Sequence, residues 1–320
     1  MRVIRNRPEW NHGARGFGRS VVAIGNFDGI HLGHRALLDR SRQLAGPSGA
    51  VAVVTFEPLP LAFFRPEQAP ARLSTIYQKL SLLRAAGVDI TWLMRFDREL
   101  AALSAREFVE QILVRKLNAS AVVVGEDFRF GKGREGDVAM LRSSGGSMNF
   151  AVETVAAVRF DGERISSSGI RSKLAAGDFS SAADWLGRPF RMEGHVIRGA
   201  GLGRTLGYPT ANLAVRAEPS PLGGVLAAYS RVEGGPWLPS VINLGRRPAV
   251  GGKEPLLEVH FFDFNQDLYG QRLEVQFVAK LRDELDFESL DDLVVQMKRD
   301  EQDARRCLAR AEMPQDEPVG

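Results

Sequence analysis

Cysteine is nearly absent from this chain: a single thiol, Cys307, occurs among its 320 residues. One cysteine excludes an internal disulfide framework. Since no histidine lies near it in the sequence, we interpret Cys307 as a free thiol near a helix end and not as a nucleophile. A low cysteine content is typical of proteins from the reducing cytoplasm.

The sequence also lacks an apolar stretch approaching the ~20 residues that a membrane-spanning helix requires. Its first residues, MRVIRNRPEW, are polar and contain no hydrophobic signal region. These two features predict a cytoplasmic protein without a membrane partner.

Charge of one sign is not in large excess either. The 42 Lys and Arg residues nearly balance the 39 Asp and Glu residues, for a net charge of +3. No long basic run occurs, so a nucleic-acid partner is not expected, whereas scattered arginines suit small polyphosphate ligands. With 44% hydrophobic and 25% charged residues the composition is that of a globular protein, and the length predicts two domains.

Short apolar runs alternate with helical patterns in the first half of the chain. This rhythm predicts an α/β domain with a parallel sheet and helices on both faces. Ser104 and Glu107 form a capping-box pattern at the start of one helix. The predicted strands are 21–25, 50–56, 89–96 and 121–125, and the predicted helices are 34–45, 76–86 and 104–117.

Beyond about residue 190 the segments follow one another as strands joined by Gly and Pro turns, without intervening helices. This succession predicts a small antiparallel barrel. The predicted strands are 192–198, 225–232, 240–244, 256–263 and 272–279, and a long helix over 290–311 closes the domain.

The segment Gly25–His34 (GNFDGIHLGH) leaves a predicted strand and enters a predicted helix. His31 and His34 are three residues apart, so both can project from one side of the first helical turn. The helix N-terminus attracts anions, and the glycines allow a ligand to approach the backbone. Two imidazoles at such a helix end suit the charge that develops on the α-phosphate of a nucleotide during adenylyl transfer.

This segment resembles the H-x-G-H signature of the nucleotidyltransferase superfamily, in the form found in prokaryotic bifunctional riboflavin kinase/FAD synthetases. Three further segments resemble motifs of that family in its order: 55–60 (TFEPLP), 125–131 (GEDFRFG) and 165–171 (ISSSGIR). Asp127 could bind ribose hydroxyls or position a ligand beside Arg129. The serines and Arg171 could form a phosphate clamp.

The segment 194–212 (GHVIRGAGLGRTLGYPTAN) resembles the riboflavin kinase module of the same family. Its glycines can wrap phosphates with backbone N–H groups. Thr210 and Asn212 offer oxygen atoms that suit Mg²⁺ beside ATP. The segment LLEVHFFDFNQDLYG, which contains Glu258, also resembles the kinase, and the resemblance implies that this carboxylate is the general base. His260 is interpreted as structural.

The resemblance therefore implies a Rossmann-like nucleotidyltransferase domain over 1–186 and a riboflavin kinase barrel of six strands over 187–313. It implies ATP as co-substrate, Mg²⁺, riboflavin and FMN as substrates, and FMN and FAD as products. Separately, we expect the terminal residues 314–320 to form a disordered tail and the chain to be a monomer or weak homo-oligomer. The implied catalytic residues are Glu258, His31 and His34. At the first site, the adenylyltransferase site, the residues implied to bind ATP are Gly25, Phe27, Asp28, Gly33, Asp127, Ser167 and Arg171. At the second site, the kinase site, they are Gly199, Gly203, Arg204, Thr210 and Asn212. At this second site Arg282 would bind the flavin, and Thr210 and Asn212 would bind the metal.

Three segments depart from the family pattern. Leu59 stands where the family has a histidine, and a leucine neither carries charge nor donates a hydrogen bond to phosphate. Segments 224–226 (GVL) and 244–249 (LGRRPA) lack hydroxyl groups found in the family. Leu59 motivates one alternative, a riboflavin kinase with a weakly active adenylyltransferase module. A flavin or nucleotide sensor without turnover is a further alternative, against which the retained His31, His34 and Glu258 argue.

Overall fold

The computed structural model describes residues 1–5, 18–199, 201–214, 220–246 and 255–315. These residues form two compact units. The first comprises Met1–Pro70 and Ile76–Ser166, and the second comprises Ala71–Thr75 and the chain from Ser167 onward. Within the described ranges, no helix is long and apolar enough to cross a membrane.

The first unit contains a parallel sheet of six strands in the order β1-β4-β3-β2-β5-β6. Its strands are β1 (Arg2–Arg5), β2 (Ser20–Ile24), β3 (Ala50–Glu57), β4 (Ile90–Arg95), β5 (Ala119–Gly125) and β6 (Ala151–Val155). Its helices are α1 (Leu32–Ala45), α2 (Pro60–Phe64), α3 (Ile76–Ala85), α4 (Arg98–Ala102), α5 (Ala105–Glu107) and α6 (Val138–Met148). A small ribbon pairs β7 (Arg159–Phe160) with β8 (Glu163–Arg164).

The predicted parallel sheet is confirmed, and its four predicted strands are β2 to β5. The strands that the sequence did not predict, β1 and β6, are the two edges of the sheet. Central parallel strands are covered on both faces and become continuous apolar runs, whereas edge strands need not be. β1 (RVIR) has one buried residue and β6 (AVETV) has none, so neither leaves a clear apolar signal.

The helix predicted over 104–117 begins as expected and then changes its winding. Ser104 and Glu107 form the predicted capping box at the start of α5. From Phe108 to Lys116 the chain continues as a π-helix. The apolar stripe that is buried here is compatible with either winding, so the sequence pattern could not predict the wider turn.

Two apolar clusters cover the two faces of the sheet. Val22 and Ile24 of β2 belong to one cluster, while Ala23 belongs to the other with Phe27 and Ile30. This division follows from the alternation of side chains along a strand. The loop that leaves β2 is therefore packed into the core of the first unit.

The second unit contains a closed antiparallel barrel in the order β10-β13-β12-β11-β14-β9. Its strands are β9 (Arg191–Ile197), β10 (Ala211–Ala214), β11 (Gly224–Val232), β12 (Leu238–Arg246), β13 (Pro255–Phe261) and β14 (Arg272–Arg282). Its helices are α7 (Ser167–Ala175), α8 (Phe179–Leu186), α9 (Leu202–Thr205) and α10 (Leu290–Leu308). Closure leaves no strand of the barrel with an unpaired edge.

The predicted barrel and its long helix α10 are confirmed, and Cys307 is a free thiol near the end of that helix. Two expectations need correction. The helix ends at Leu308 instead of 311, and the glycine loop after β9 contains the single-turn helix α9. Residues 247–249 of the segment LGRRPA, and 316–320 of the predicted tail, lie outside the described residues.

Candidate active sites

The loop between β2 and α1 has an unusual backbone that the core supports. Phe27 and Ile30 have φ of 47° and 44°, and Gly29 has φ of 83°. Non-glycine residues with positive φ are strained, and such residues persist where their surroundings fix them. The side chains of Phe27 and Ile30 are 0% and 1% exposed and pack in the core cluster with Leu38 of α1.

The two predicted histidines lie at the N-terminus of α1, directly after this loop. His31 is the N-cap, and its Nδ1 accepts a hydrogen bond from the backbone N–H of His34 at 3.3 Å. The two imidazoles are stacked, with centroids 3.7 Å apart and planes 19° from parallel. Because Nδ1 of His31 is an acceptor, a neutral ring carries its proton on Nε2. The pair therefore offers imidazole donors where backbone N–H groups also favour an anion.

Two glycines of the motif provide room for rings of the same site. A Cβ at Gly33 would lie 3.1 Å from the imidazole of His31, and one at Gly25 would lie 3.2 Å from the ring of Phe27. Asp28 is 1% exposed and Phe27 is fully buried. Their expected contacts with ATP remain predictions.

The segment TFEPLP lies beside this loop through Thr55. The Thr55 hydroxyl donates to the backbone carbonyl of Asn26 at 2.9 Å, and Nζ of Lys79 donates to the same carbonyl at 2.9 Å. Leu59, the residue that departs from the family pattern, precedes α2 as its N-cap and is 3% exposed. In this chain the position is part of the apolar interior.

Asp127 lies two residues after β5. Its Oδ2 accepts a hydrogen bond from Arg164 at 2.6 Å. Arg129 donates to Asp137 at 3.2 Å. The carboxylate of Asp127 is 66% exposed, so it remains accessible to a ligand.

Ser167 and Arg171 lie on α7, which starts at Ser167. Nε of Arg171 donates to the backbone carbonyl of Ala71. Both residues belong to the second compact unit. Their expected contacts with ATP remain predictions.

The second unit contains a cavity of about 450 Å³, lined by barrel strands, the glycine loop and α10, that brings together most of the residues predicted for the second site. Apolar and aromatic side chains contribute much of its lining, and polar groups converge at a few points, as in small-molecule sites. Its lining includes the predicted residues Gly203, Thr210, Asn212, Glu258 and Arg282.

Strand pairing aligns the polar residues of this cavity. Glu258 of β13 is opposite Asn212 of β10 on one side and opposite Asn243 of β12 on the other. Asn243 is opposite Val225 of β11, which is opposite Arg282 of β14. Directly opposed residues project to the same side of a sheet, so one row of side chains follows the wall of the barrel. Nδ2 of Asn243 donates to Oε2 of Glu258 at 3.4 Å.

Asn212 carries a polar atom without a partner in this cavity. The residue is 5% exposed, and its Oδ1 has no hydrogen bond to any residue that the structure describes. Burying an oxygen atom without a hydrogen bond costs free energy, unless a bound ligand supplies the missing interaction. A Cβ at Gly199 would lie 2.2 Å from Nδ2 of Asn212, so the glycine allows the amide to occupy this position.

The glycine segment after β9 closes on itself through Gly203. The N–H of Tyr208 donates to the Gly203 carbonyl at 2.7 Å, and a Cβ at Gly203 would lie 2.3 Å from the Tyr208 carbonyl. Burial, and to a lesser extent the charge of Glu301, raise the pKa of Tyr208, so its hydroxyl keeps its proton. Arg204 is exposed and is not part of the cavity lining, so its predicted contact with ATP stays a prediction.

Arg282 is held by an ion pair with α10. Its Nε and Nη2 donate to the two carboxylate oxygens of Asp300 at 2.9 and 2.7 Å, and Gln296 donates to Oδ1 of Asp300 at 2.9 Å. A two-point contact fixes the plane of a guanidinium. His260 donates through Nδ1 to the Pro209 carbonyl at 2.9 Å, consistent with a structural role.

Sequence reasoning missed Asn243, Asp300 and Lys79. Asn243 could have been found from its register opposite Glu258, but that requires the strand pairing. Asp300 lies in a helix whose sequence is rich in charge, where one buried carboxylate leaves no local signal. Lys79 is similarly hidden in a helix where lysine is normally solvated.

Together the parallel sheet with paired histidines and the barrel with its polar row define a two-site nucleotide-dependent transferase. A family model for FAD synthetase matches residues 15–169, and one for riboflavin kinase matches residues 186–308. The bifunctional riboflavin kinase/FMN adenylyltransferase of Haemophilus influenzae is 41% identical over 306 residues, covering 95% of this chain and 98% of that protein. The enzyme of the same name from Escherichia coli K12 is 44% identical over 291 residues, covering 89% and 91%. The chain belongs to the bifunctional riboflavin kinase/FMN adenylyltransferase family.

A solved structure also covers both halves of the chain. It is named as a macrolide-efflux protein from Streptococcus pneumoniae and is 30% identical. The alignment covers 95% of this chain and 99% of that one, with a TM-score of 0.79. The two-domain architecture is thus shared with an experimentally determined structure.

Proposed function

We propose that this chain makes FAD from riboflavin in two sequential reactions at two sites. Riboflavin and ATP give FMN and ADP in the barrel, and FMN and a second ATP give FAD and pyrophosphate at the paired histidines. The observation that carries the proposal is the row of Asn212, Glu258, Asn243 and Arg282 along one cavity wall. We propose a boundary between residues 186 and 187 for the two family modules, which the start of the kinase match at 186 supports. Helices α7 and α8, which precede this boundary, belong to the second compact unit.

In the kinase reaction, Glu258 is the proposed general base. Its carboxylate accepts the proton of the riboflavin 5′-hydroxyl while that oxygen bonds to the γ-phosphorus of ATP and the bond to the β-phosphate oxygen breaks. Asn243 supports the orientation of the carboxylate through its amide. Arg282, fixed by Asp300, provides a planar donor group for the flavin.

Thr210 and Asn212 would hold Mg²⁺ in this site. Both line the cavity, and the buried Oδ1 of Asn212 has no hydrogen bond within the described part of the chain. Hydroxyl and amide oxygens suit this cation, which commonly takes few protein ligands and several phosphate oxygens. Within the described ranges no cluster of three His, Cys, Asp or Glu side chains forms a fuller metal site. When bound, the ion would neutralise charge on adjacent phosphates.

In the adenylyl transfer, a phosphate oxygen of FMN bonds to the α-phosphorus of ATP and the bond to the β-phosphate breaks, releasing pyrophosphate. The imidazoles of His31 and His34 donate to phosphate oxygens as negative charge builds on them. Asp127, Ser167 and Arg171 are the proposed further contacts with ATP.

A product time course tests the proposal. The purified chain is incubated with riboflavin, ATP and Mg²⁺, and flavins are separated by chromatography. We expect FMN to appear first and FAD to follow with release of pyrophosphate. Absence of FMN would contradict the kinase assignment.

The buried Leu59 favours one second candidate, a riboflavin kinase whose first site works weakly. Incubation with FMN, ATP and Mg²⁺ separates the two, because this mixture bypasses the kinase. FAD formation at a rate comparable to FMN formation supports the bifunctional assignment, and little or no FAD supports the alternative. ATP as co-substrate and the single cysteine support a cytoplasmic location, and we propose a monomer or weak homo-oligomer.

A further inference from the structure

Helix α3 buries a lysine that the proposed chemistry does not use. Lys79 is 0% exposed. An ammonium group is expensive to remove from water unless the protein replaces its hydrogen bonds. A lysine at a buried position of a helix therefore requires a partner that accepts hydrogen bonds from its ammonium group and offsets the cost of removing it from water.

One partner is the backbone of the loop that carries the histidines. Nζ of Lys79 donates to the carbonyl of Asn26 at 2.9 Å, and the Thr55 hydroxyl donates to the same oxygen at 2.9 Å. Charged donors form stronger hydrogen bonds than neutral ones. Asn26 directly precedes Phe27, the first residue with a strained positive φ. The two donors thus fix the peptide at which the unusual backbone begins.

The same face of α3 also packs on the loop through an apolar contact. Leu83, one helical turn after Lys79, is fully buried in the cluster that contains Phe27 and Ile30. Residues four apart share a helix face. Helix α3 therefore supports the loop with a polar anchor at Asn26 and an apolar anchor at the two strained residues.

We propose that Lys79 is a positioning residue for FMN adenylyl transfer. By fixing the Asn26 carbonyl it sets the course of the backbone from residue 26 to the N-cap His31, and with it the stacked imidazole pair. This inference rests on the proposed adenylyltransferase function of the first site. Misplacement of a reacting group by about 1 Å can cost about 10²-fold in rate, so a residue that does not touch the substrate can control turnover.

The test is Lys79→Met in the full chain, which keeps an unbranched side chain and removes the ammonium. Steady-state kinetics are measured with FMN, ATP and Mg²⁺. We expect kcat for FAD formation to fall by about 10- to 100-fold, while KM for FMN and for ATP changes by less than about threefold. Near-normal KM values would indicate that the first unit is folded and still binds both substrates. If Lys79 only stabilised the fold, its loss should change the KM values together with kcat.

Two further variants make the test decisive. Arg84→Met also removes one cation from α3, but at an exposed position, so it should stay within about twofold of the parent. Thr55→Val removes the second donor to the Asn26 carbonyl without exposing or burying a charge, and should lower kcat by about fivefold, with the same unchanged KM values.

Three outcomes would overturn the inference. The first is a Lys79→Met enzyme whose kcat stays within about twofold of the parent. The second is a loss confined to KM. If Lys79→Met does not fold, the Thr55→Val enzyme decides, and normal turnover in that variant is the third contradiction. The parent is measured first: a parent that makes no FAD from FMN contradicts the proposed function itself, whereas an active parent with unaffected variants contradicts the role of Lys79.

Discussion

The two proposed sites of this chain are built in different ways. The kinase site is a row of side chains set by regular strand pairing, in which Asn212, Glu258 and Asn243 lie opposite one another on three neighbouring strands. The adenylyltransferase site is a loop with two strained residues, Phe27 and Ile30, held by side chains that come from elsewhere in the fold. Regular hydrogen bonding between strands positions the kinase site, and core packing positions the adenylyltransferase site.

This difference determines where each site is sensitive to substitution. In the barrel, the pairing of the backbone fixes the strands, so losing one side chain should remove its chemistry and leave the others in place. In the loop, the positions of the imidazoles depend on the hydrogen-bonded Asn26 carbonyl and on Gly33, which leaves room for the His31 ring. Adenylyl transfer should therefore be sensitive to substitutions that touch no substrate, such as those at Lys79 and Thr55.

The largest expected effect is that of Glu258→Gln on the kinase. Removing a general base should lower the rate of FMN formation by about 10²- to 10⁴-fold. The measurement is FMN production from riboflavin, with FAD production from added FMN as the internal control that should stay normal. FMN formation near the parent rate would show that another group accepts the proton.

Replacing both His31 and His34 by Ala is expected to have the next largest effect, on the other reaction. Loss of the imidazole donors should lower FAD formation from FMN by about 10²- to 10³-fold. Riboflavin should still be converted to FMN, which would accumulate. An equal fall in both reactions by a folded variant would contradict the division of labour between the sites.

A pair of glycine substitutions compares the two sites directly. Gly199→Ala places a methyl group 2.2 Å from the Asn212 amide, whereas Gly33→Ala places one 3.1 Å from the His31 ring. We expect Gly199→Ala to reduce FMN formation by about 10²-fold and Gly33→Ala to reduce FAD formation by about tenfold. Each variant should leave the other reaction unchanged. A larger loss from Gly33→Ala would contradict the order derived from these distances.

The smallest expected effect is that of Leu59→His. If the missing imidazole weakens the first site, its return should raise the FMN-to-FAD rate by about fivefold, equivalent to about 1 kcal/mol from one hydrogen bond. Since Leu59 is 3% exposed, burying a polar ring should also cost about 1–3 kcal/mol of unfolding free energy. Rate and denaturant midpoint are compared with Leu59→Met, which conserves volume. An unchanged rate would show that the position does not affect catalysis.

Sequence patterns predicted the parts of the molecule in which local signals and tertiary structure agree. The buried strands β2 to β5, the antiparallel barrel and the histidine pair are of this kind. Edge strands β1 and β6 escaped because exposure on one side removes the apolar run. The contacts of Asn26 with Thr55 and Lys79 escaped because they join residues that are 29 and 53 positions apart in the chain. No local pattern reveals which lysine of an amphipathic helix turns inward.

Functional complementation tests the two-site account most directly. The Glu258→Gln variant and the His31→Ala, His34→Ala double variant are mixed and supplied with riboflavin, ATP and Mg²⁺, and FAD is measured over time. Each alone should make little FAD. Together they should make FAD at a rate that rises with the FMN concentration, since the double variant releases FMN and the Glu258→Gln variant adenylylates it. A mixture that accumulates FMN without FAD would contradict the account.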